Sequence, residues 1–353
     1  MMKFKFTILL SLFFIIANLK AQQLPMYTQY VFNDYMVNSA VAGTVDQIPI
    51  RLSYRNQWSG FTDMQGNNIA PKTFALSAHS PITDAVGLGA FVYSDVTGPI
   101  SQTAAQLSYS WRTCLSPEGS CSWDKKQFFS LSYGTRLLQF SYDDTETVGW
   151  NEYFGLADDP VLPNVIETDI LTSHVVAAYF YTEYFYAGLG AQNLFARPLK
   201  IQSDLLYDNK LTAEYNLIAG AYLPVTQDKS FAMEPSLLTK TTRWSKTQID
   251  VSLRFIYENA VYAGFLYRAS EAAYGFLFGV ESGDLFFGYS YDTAVEGISN
   301  YSGGTHELAI GINLDLFKRA DNVRLQSRFK NRRMLLDPFR ENDKNGNRRG
   351  SGS

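Results

Sequence analysis

The stretch Leu308-Ala309-Ile310-Gly311-Ile312-Asn313-Leu314-Asp315-Leu316-Phe317 alternates apolar side chains with small or polar ones without a break. Successive side chains of a β-strand point to opposite faces, so this stretch predicts a strand with one apolar face and one polar face. The same pattern recurs at residues 50–55, 105–112 and 250–255. In each of these, Arg, Asp, Ser or Gln side chains alternate with aliphatic or aromatic ones.

The N-terminus predicts an export signal. Lys3 and Lys5 precede the apolar run 6–16, and the small residue Ala21 follows it. This order predicts a signal peptide of residues 1–21. A short membrane anchor is the alternative, but a spanning helix needs about 20 apolar residues. The rest of the sequence has no comparable apolar run, so membrane character of the mature chain would come from strands.

Composition agrees with a membrane protein built of strands. Aromatic residues make up 15% of the chain and charged residues only 18%, against roughly 25% charged in soluble domains. A large soluble β-sandwich could share these values. Combined with the export signal, the two-faced strands predict an all-β fold, a transmembrane antiparallel β-barrel in the outer membrane with lipid outside and a polar lumen.

The barrel is predicted to span residues 48–317 with about fourteen strands. Short and long connections alternate along the chain, as in outer-membrane barrels, where the short turns are periplasmic. An even number of strands then places both termini in the periplasm. The predicted strands are 48–58, 71–80, 85–95, 102–112, 127–142, 172–182, 184–193, 212–223, 230–240, 246–257, 260–268, 273–282, 284–292 and 304–316.

Charged side chains fall on the predicted inner face of these strands. On the lipid face each would cost about 2–4 kcal/mol near the bilayer midplane. Two interpretations remain for the inner charges: a sealed lumen with paired charges, or an ion-selective pore. The predicted lumen charge network comprises Arg51, Arg55, Arg112, Arg136, Arg254, Arg268, Asp250, Glu281, Asp292 and Asp315.

The segment before the first strand has a different character. Residues 22–47 mix amides and aromatic side chains without a two-residue period. Such a segment can satisfy its backbone only where protein or water surrounds it. We therefore predict that it folds into or beneath the lumen as a plug-like segment.

The two cysteines, Cys114 and Cys121, flank a Pro and a Gly in the link between the fourth and fifth strands. In an exported chain this spacing predicts a disulfide that closes one turn. A metal pair is the alternative, but histidine ligands are missing nearby.

The C-terminal tail, residues 318–353, carries eleven Lys or Arg against four Asp or Glu. Apolar side chains lie among these charges, which favours a docking segment over a purely solvated one. We predict a basic periplasmic tail that binds an acidic partner, although it could instead cover the base of the barrel. The residues predicted to make this contact are Arg324, Arg328, Phe329, Arg332 and Arg333.

A series of short motifs follows in order along residues 25–316: Gln29-Tyr30-Val31-Phe32-Asn33, Asn38-Ser39-Ala40-Val41-Ala42-Gly43-Thr44, Tyr54-Arg55-Asn56-Gln57-Trp58-Ser59-Gly60-Phe61, Pro71-Lys72-Thr73, Ser77-Ala78-His79, Gly288-Tyr289-Ser290-Tyr291-Asp292 and Thr305-His306-Glu307-Leu308. Together they resemble the PorP/SprF family of Bacteroidota outer-membrane proteins, which serve type IX secretion and gliding. The chain departs from the family at Ser39, where Pro is usual, and in its long tail.

The resemblance implies a non-enzymatic barrel that supports secretion or cell-surface anchoring of a type IX-secreted adhesin with a type B C-terminal domain, with a role in gliding motility. Implied partners are that domain, periplasmic or lipoprotein components of the machinery, and outer-membrane lipid, without nucleic acid or cofactor. An outer-membrane porin or solute transporter is the alternative. The sequence shows no motif that arranges its histidines, His79, His174 and His306, in a catalytic triad.

Overall fold

The computed structural model describes residues 26–45, 47–63, 66–83, 85–115, 127–143, 166–200, 211–228, 230–243, 247–294 and 300–314. Its strands are β1 (Ile48–Asn56), β2 (Lys72–Pro81), β3 (Val86–Thr97), β4 (Ile100–Cys114), β5 (Gln127–Asp143), β6 (Ile166–Thr182), β7 (Phe185–Leu194), β8 (Glu214–Ala221, resuming at Leu223–Pro224), β9 (Phe231–Thr242), β10 (Gln248–Tyr257), β11 (Val261–Arg268), β12 (Ala273–Ser282), β13 (Leu285–Ala294) and β14 (Thr305–Leu314).

These strands form one closed antiparallel sheet. Each strand pairs with the next along the chain. The first and last strands also pair, from Ile48 opposite Leu314 to Asn56 opposite His306. The predicted closed antiparallel barrel of fourteen strands is therefore confirmed.

The inner and outer faces follow the predicted alternation. In β14, Leu308 and Ile310 are exposed by 41% and 46%, whereas Glu307, Ala309 and Asn313 are almost fully buried. In β4, residues 105, 107, 109 and 111 are exposed and residues 106, 108, 110 and 112 are buried. The apolar side chains thus form the outer surface, and the polar ones line the interior.

The connections define two rims. The turn rim carries links 82–85, 115–126, 183–184, 225–230, 258–260 and 283–284, together with the start of β1 and the end of β14. The loop rim carries links 57–71, 98–99, 144–165, 195–213, 243–247, 269–272 and 295–304. Most long links lie on the loop rim, as predicted, but the link at 98–99 shows that this rim also contains a tight hairpin.

Three neighbouring strands are longer than the rest. β4 has 15 residues and β5 and β6 have 17 each, whereas a strand crosses a bilayer in about 9–11 residues. β6 begins at Ile166 rather than at the predicted residue 172, because it pairs with β5 as far as Asp143. On the loop rim, β5 and β6 pair to Ile166, past the last β6–β7 pair, His174 with Leu194.

The N-terminal segment, which we define as residues 26–45, forms three short 3₁₀ turns, Thr28–Val31, Asp34–Met36 and Ser39–Val41. The Asn38 side chain caps the third turn by accepting a hydrogen bond from the Ala40 N–H at 2.9 Å. Within the described residues, no helical turn is long or apolar enough to cross a membrane.

Apolar side chains of the N-terminal segment share one buried cluster with inward-facing residues of the barrel. The segment contributes Tyr30, Val31, Tyr35, Met36, Val37, Ala40, Val41 and Ala42. The strands contribute residues such as Phe91, Tyr179, Ile218 and Leu238. The core of the protein therefore lies inside the barrel, around this segment.

Several predicted features lie outside the described residues. These are the signal peptide at residues 1–21, Cys121 of the predicted disulfide, Asp315 of the predicted charge network, and the basic tail at residues 318–353 with its contact residues. Each stays a prediction.

Candidate functional site

Inward-facing side chains of the barrel hold the backbone of the N-terminal segment. Because this segment belongs to no sheet, its buried backbone groups need partners from the surrounding wall. Its carbonyl oxygens accept hydrogen bonds from strand side chains: Val31 from Arg254 (3.0 Å), Val37 from Asn216 (3.0 Å) and Gln192 (3.3 Å), Ala40 from Ser130 (2.7 Å), Ala42 from Ser110 (2.6 Å) and Gly43 from Arg112 (2.5 Å). The lumen wall is thus complementary to the course of this backbone.

Serine hydroxyls of the wall bind the polar side chains of the segment. The pairs are Tyr30 with Ser236 (2.9 Å), Asn33 with Ser77 (2.8 Å), Tyr35 with Ser108 (2.7 Å) and Ser39 with Ser132 (2.6 Å). Burial raises the pKa of the Tyr35 hydroxyl well above its ordinary value, and its hydrogen bond to Ser108 opposes this only in part. Tyr35 therefore stays neutral at physiological pH.

Glycines in the strands make room for the segment. A Cβ atom at Gly89 would overlap the ring of Tyr35, and one at Gly188 would overlap the side-chain amide of Asn38. The backbone of a strand can approach another chain closely only where no side chain intervenes. The Gly-rich pieces of β3 and β7 are therefore sites of close packing inside the barrel.

The first turn of the segment is bound by a buried charge cluster. Arg55 contacts Asp292 at 3.1 Å and Glu307 at 2.9 Å. Glu307 in turn accepts hydrogen bonds from the backbone N–H groups of Thr28 at 2.9 Å and Gln29 at 3.3 Å. Strands β1, β13 and β14 thus meet at the start of the segment.

Two further arginines form ion pairs in the lumen. Arg268 contacts Asp250 at 3.2 Å and Asp292 at 3.5 Å. Arg254 contacts Glu234 at 2.5 Å, and its guanidinium lies 5.2 Å from the centre of the Phe32 ring. Arg254 is therefore held by Glu234 of the wall, while its guanidinium packs against Phe32 and donates to Val31 of the segment.

The other three predicted arginines bind uncharged groups. Arg51 donates to Asn313 at 2.7 Å, and Asn313 donates to Glu281 at 3.0 Å. Arg136 donates to Gln106 at 2.7 Å and to Gln192. Arg112, as described above, donates to a backbone carbonyl. The structure thus groups Arg55, Arg254, Arg268, Asp250 and Asp292 in ion pairs, and links Arg51 to Glu281 through an amide.

The buried charges of the described residues balance in sign. Seven cationic side chains are buried (Arg51, Arg55, Arg112, Arg136, Lys240, Arg254 and Arg268), and seven acidic ones (Asp34, Glu214, Glu234, Asp250, Glu281, Asp292 and Glu307). Of these, Lys240, Asp34, Glu214, Glu234 and Glu307 were missing from the predicted network. Glu307 could have been found by continuing the alternation of β14 back from Asn313.

Little space remains around the first turns of the segment. A cavity of about 20 Å³ lies against Tyr27, Gln29 and Phe32, which is room for about one water molecule. The first turns of the N-terminal segment are therefore packed closely against the wall.

Comparisons with known proteins identify the family. A family model described as "Type IX secretion system membrane protein PorP/SprF" matches residues 19–312. A search of curated proteins gave no match.

Three solved structures are among those that match this chain. BamA of Haemophilus ducreyi lacking POTRA domains 1–3 is 8% identical, with 76% of this chain and 70% of that chain covered and a TM-score of 0.39. The toluene transporter TbuX of Ralstonia pickettii is 9% identical (79% and 92% covered, TM-score 0.45). The toluene transporter TodX of P. putida is 10% identical (76% and 87% covered, TM-score 0.40). At these values the likeness carries no functional inference.

The family match covers nearly the whole barrel, including the N-terminal segment and the strands that bind it. The chain is therefore an outer-membrane β-barrel that belongs to the PorP/SprF family of type IX secretion system membrane proteins.

Proposed function

We propose that this barrel is a non-enzymatic accessory of type IX secretion. In this role it supports the export or cell-surface anchoring of an adhesin that carries a type B C-terminal domain, and it contributes to gliding motility. Family membership supports the link to the secretion system. The observation that supports the proposal is the position of the N-terminal segment inside the barrel, where inner side chains bind its backbone.

The occupied lumen favours an accessory over a porin or solute transporter. A conducting barrel needs a continuous polar path, and a selective one usually presents rings of one charge sign. Among the residues that the structure describes, the buried cations and acids are equal in number. The inner side chains also bind the N-terminal segment at the distances given above. We therefore propose a sealed lumen with paired charges.

The orientation in the membrane is part of the same proposal. We place the turn rim and both chain termini in the periplasm, where short turns of such barrels lie. The loop rim then faces the cell surface, where an anchored adhesin would be. The basic tail from Lys318 would contact periplasmic or lipoprotein components of the machinery.

The first test is genetic. Deleting the gene for this chain in its native host should reduce display of the adhesin at the cell surface and impair gliding. Other outer-membrane barrels should assemble normally. Surface labelling of intact cells measures display, and re-expression of the full chain is the control. Normal display and gliding in the deletion strain would reject the accessory role.

The second test measures conductance. The purified full-length protein in planar bilayers or liposomes should pass little current. A deletion of residues 26–45 should raise the conductance, whereas the lipid-facing change Phe265→Leu should leave it low. If the deletion variant does not fold, the wild-type measurement decides alone. A large, stable wild-type current would favour the porin alternative.

A further inference from the structure

Four polar or aromatic side chains form a row across neighbouring strands on the outer face of the barrel. Asn56 of β1 is paired with His306 of β14 on one side and with Lys72 of β2 on the other. His306 is paired in turn with Tyr291 of β13. Residues paired across strands point to the same face, and Arg55, next to Asn56, is buried inside, so these four point outward. We call them the polar row.

The polar row lies near the boundary of the lipid on the side of the loop rim. His306 is eight positions from Leu314, the last residue of β14 at the turn rim. Lys72 is nine positions from Pro81, the last residue of β2 at the same rim. A strand crosses the bilayer in about 9–11 residues. A strand that enters the hydrocarbon at the turn rim therefore leaves it close to the polar row.

Large apolar side chains lie directly beneath the polar row, toward the turn rim. The next outward residues of the same four strands are Tyr289, Leu308, Tyr54 and Phe74, which are also paired in sequence across the sheet. Their side chains are exposed by 38%, 41%, 42% and 48%. Aromatic residues with this exposure are typical of the membrane–water interface of a barrel. The polar row is thus at the height of the lipid headgroups, above side chains that contact acyl chains.

The polar row offers a cation and an uncharged donor. Lys72 is exposed, and in the described part of the chain it forms no ion pair. The Tyr289 hydroxyl and His306 Nδ1 are 2.8 Å apart. When the hydroxyl donates this bond, the imidazole proton lies on Nε2, which remains available as a donor. Neighbouring strands are about 4.8 Å apart, so the side chains of Lys72 and His306, two strands apart, can reach one group between them.

A second Tyr–His pair has the same geometry but no lysine beside it. The Tyr133 hydroxyl lies 2.7 Å from His174 Nδ1, and His174 is also eight positions from the turn-rim end of its strand, β6. The residues paired with His174 are Thr135 and Leu194. A Tyr–His pair at this height is therefore a repeated feature of the interface, and Lys72 is what distinguishes the polar row.

We propose that the polar row binds the phosphate group of a membrane lipid, with Lys72 as the cation and the His306 Nε2–H as a second donor. A phosphate supplies the negative charge and the acceptor oxygens that an ammonium group and an imidazole N–H match. The acyl chains of the same lipid contact Tyr54 and Phe74 below. The orientation under the proposed function places this lipid in the outer leaflet. The site lies at the seam where β1 and β14 close the barrel.

Native mass spectrometry of the full-length protein in detergent tests the site, with dioleoyl phosphatidic acid as the probe. Lys72→Gln removes the cation, and the control Lys200→Gln removes the same charge from another exposed residue of the loop rim. We expect Lys72→Gln to weaken binding of the lipid about tenfold, which corresponds to about 1.4 kcal/mol, and Lys200→Gln to leave it unchanged. Both side chains are exposed, so both variants should assemble, which heat-modifiable gel migration verifies.

The role of the histidine is tested by a matched pair of variants, His306→Phe and His174→Phe. Each loses a hydrogen bond to a tyrosine at the same height, but only His306→Phe removes a donor of the polar row. We expect the first to weaken binding of phosphatidic acid severalfold and the second to leave it unchanged. Because Lys72 and His306 bind one phosphate, the effects of the two substitutions should not be additive in the double variant.

Two further ligands distinguish a lipid from free phosphate. Dioleoylglycerol, which has the same acyl chains without phosphate, and inorganic phosphate should each bind far more weakly than phosphatidic acid. The inference is overturned if the wild type does not bind phosphatidic acid, if Lys72→Gln and Lys200→Gln behave alike, or if either of the two further ligands binds as tightly as phosphatidic acid. These measurements use purified protein, so their failure leaves adhesin display, and with it the proposed function, to its own test.

Discussion

Replacing Glu307 by Gln should destabilise the barrel by loosening its N-terminal segment. Glu307 is 1% exposed and accepts hydrogen bonds from two backbone N–H groups and from Arg55. A Gln amide can keep its oxygen toward Thr28 and Arg55, but its NH₂ group then faces the N–H of Gln29. One buried donor is left without an acceptor, which costs about 1–3 kcal/mol, and the bond from Arg55 loses its charge assistance. The expected loss of unfolding free energy is about 2–4 kcal/mol.

Urea unfolding in detergent micelles, followed by tryptophan fluorescence, measures this difference. Glu258→Gln is the matched control, because Glu258 lies exposed in a turn between β10 and β11 and its substitution should change stability by less than about 0.5 kcal/mol. If both variants unfold at the same urea concentration as the wild type, Glu307 does not hold the segment, and the account of the charge cluster fails.

Three further outcomes are expected. Gly89→Ala places a Cβ against the Tyr35 ring and should lower stability by about 1–3 kcal/mol in the same urea assay, whereas the outward Ala90→Val should be neutral. Ile310→Arg puts a charge on the lipid face near mid-strand and should cost about 2–4 kcal/mol, seen as reduced heat-resistant barrel on gels; Ala309→Ser, facing inward, should assemble normally. Truncation after Phe317 should leave the barrel intact but reduce adhesin display, and binding of the tail to its partner should weaken as salt rises; normal display would exclude the tail as a functional contact.

The strands were predictable because one rule governs them. Lipid on one side and protein on the other impose a two-residue period, so β14 could be read directly from residues 308–314. The first residues of β6 are an exception to this two-residue period. Ile166, Thr168, Ile170 and Thr172 share its outer face, and this mixture of apolar and polar side chains gives no clear two-residue period.

The partners inside the lumen were harder to predict. The sequence placed Arg112 and Arg136 on the inner face, but it could not show that a backbone carbonyl and side-chain amides would bind them. In β9, Leu238 faces inward and is fully buried, which breaks the expected polar inner face. The cause is the N-terminal segment, which turns part of the lumen into an apolar core and thereby hides Glu234 and Lys240 from a pattern search.

The contacts of Thr28 join the first described turn to the last strand. Thr28 is exported ahead of every strand, yet it binds Glu307, 279 positions later and in the last strand. The N-terminal segment therefore cannot complete its contacts until β14 arrives, and β14 also closes the sheet against β1. Contacts so distant along the chain make the final step slow. The same strand thus closes the sheet and binds the first turn of the segment, so a chain that lost β14 would lose the closure and the Glu307 contacts together.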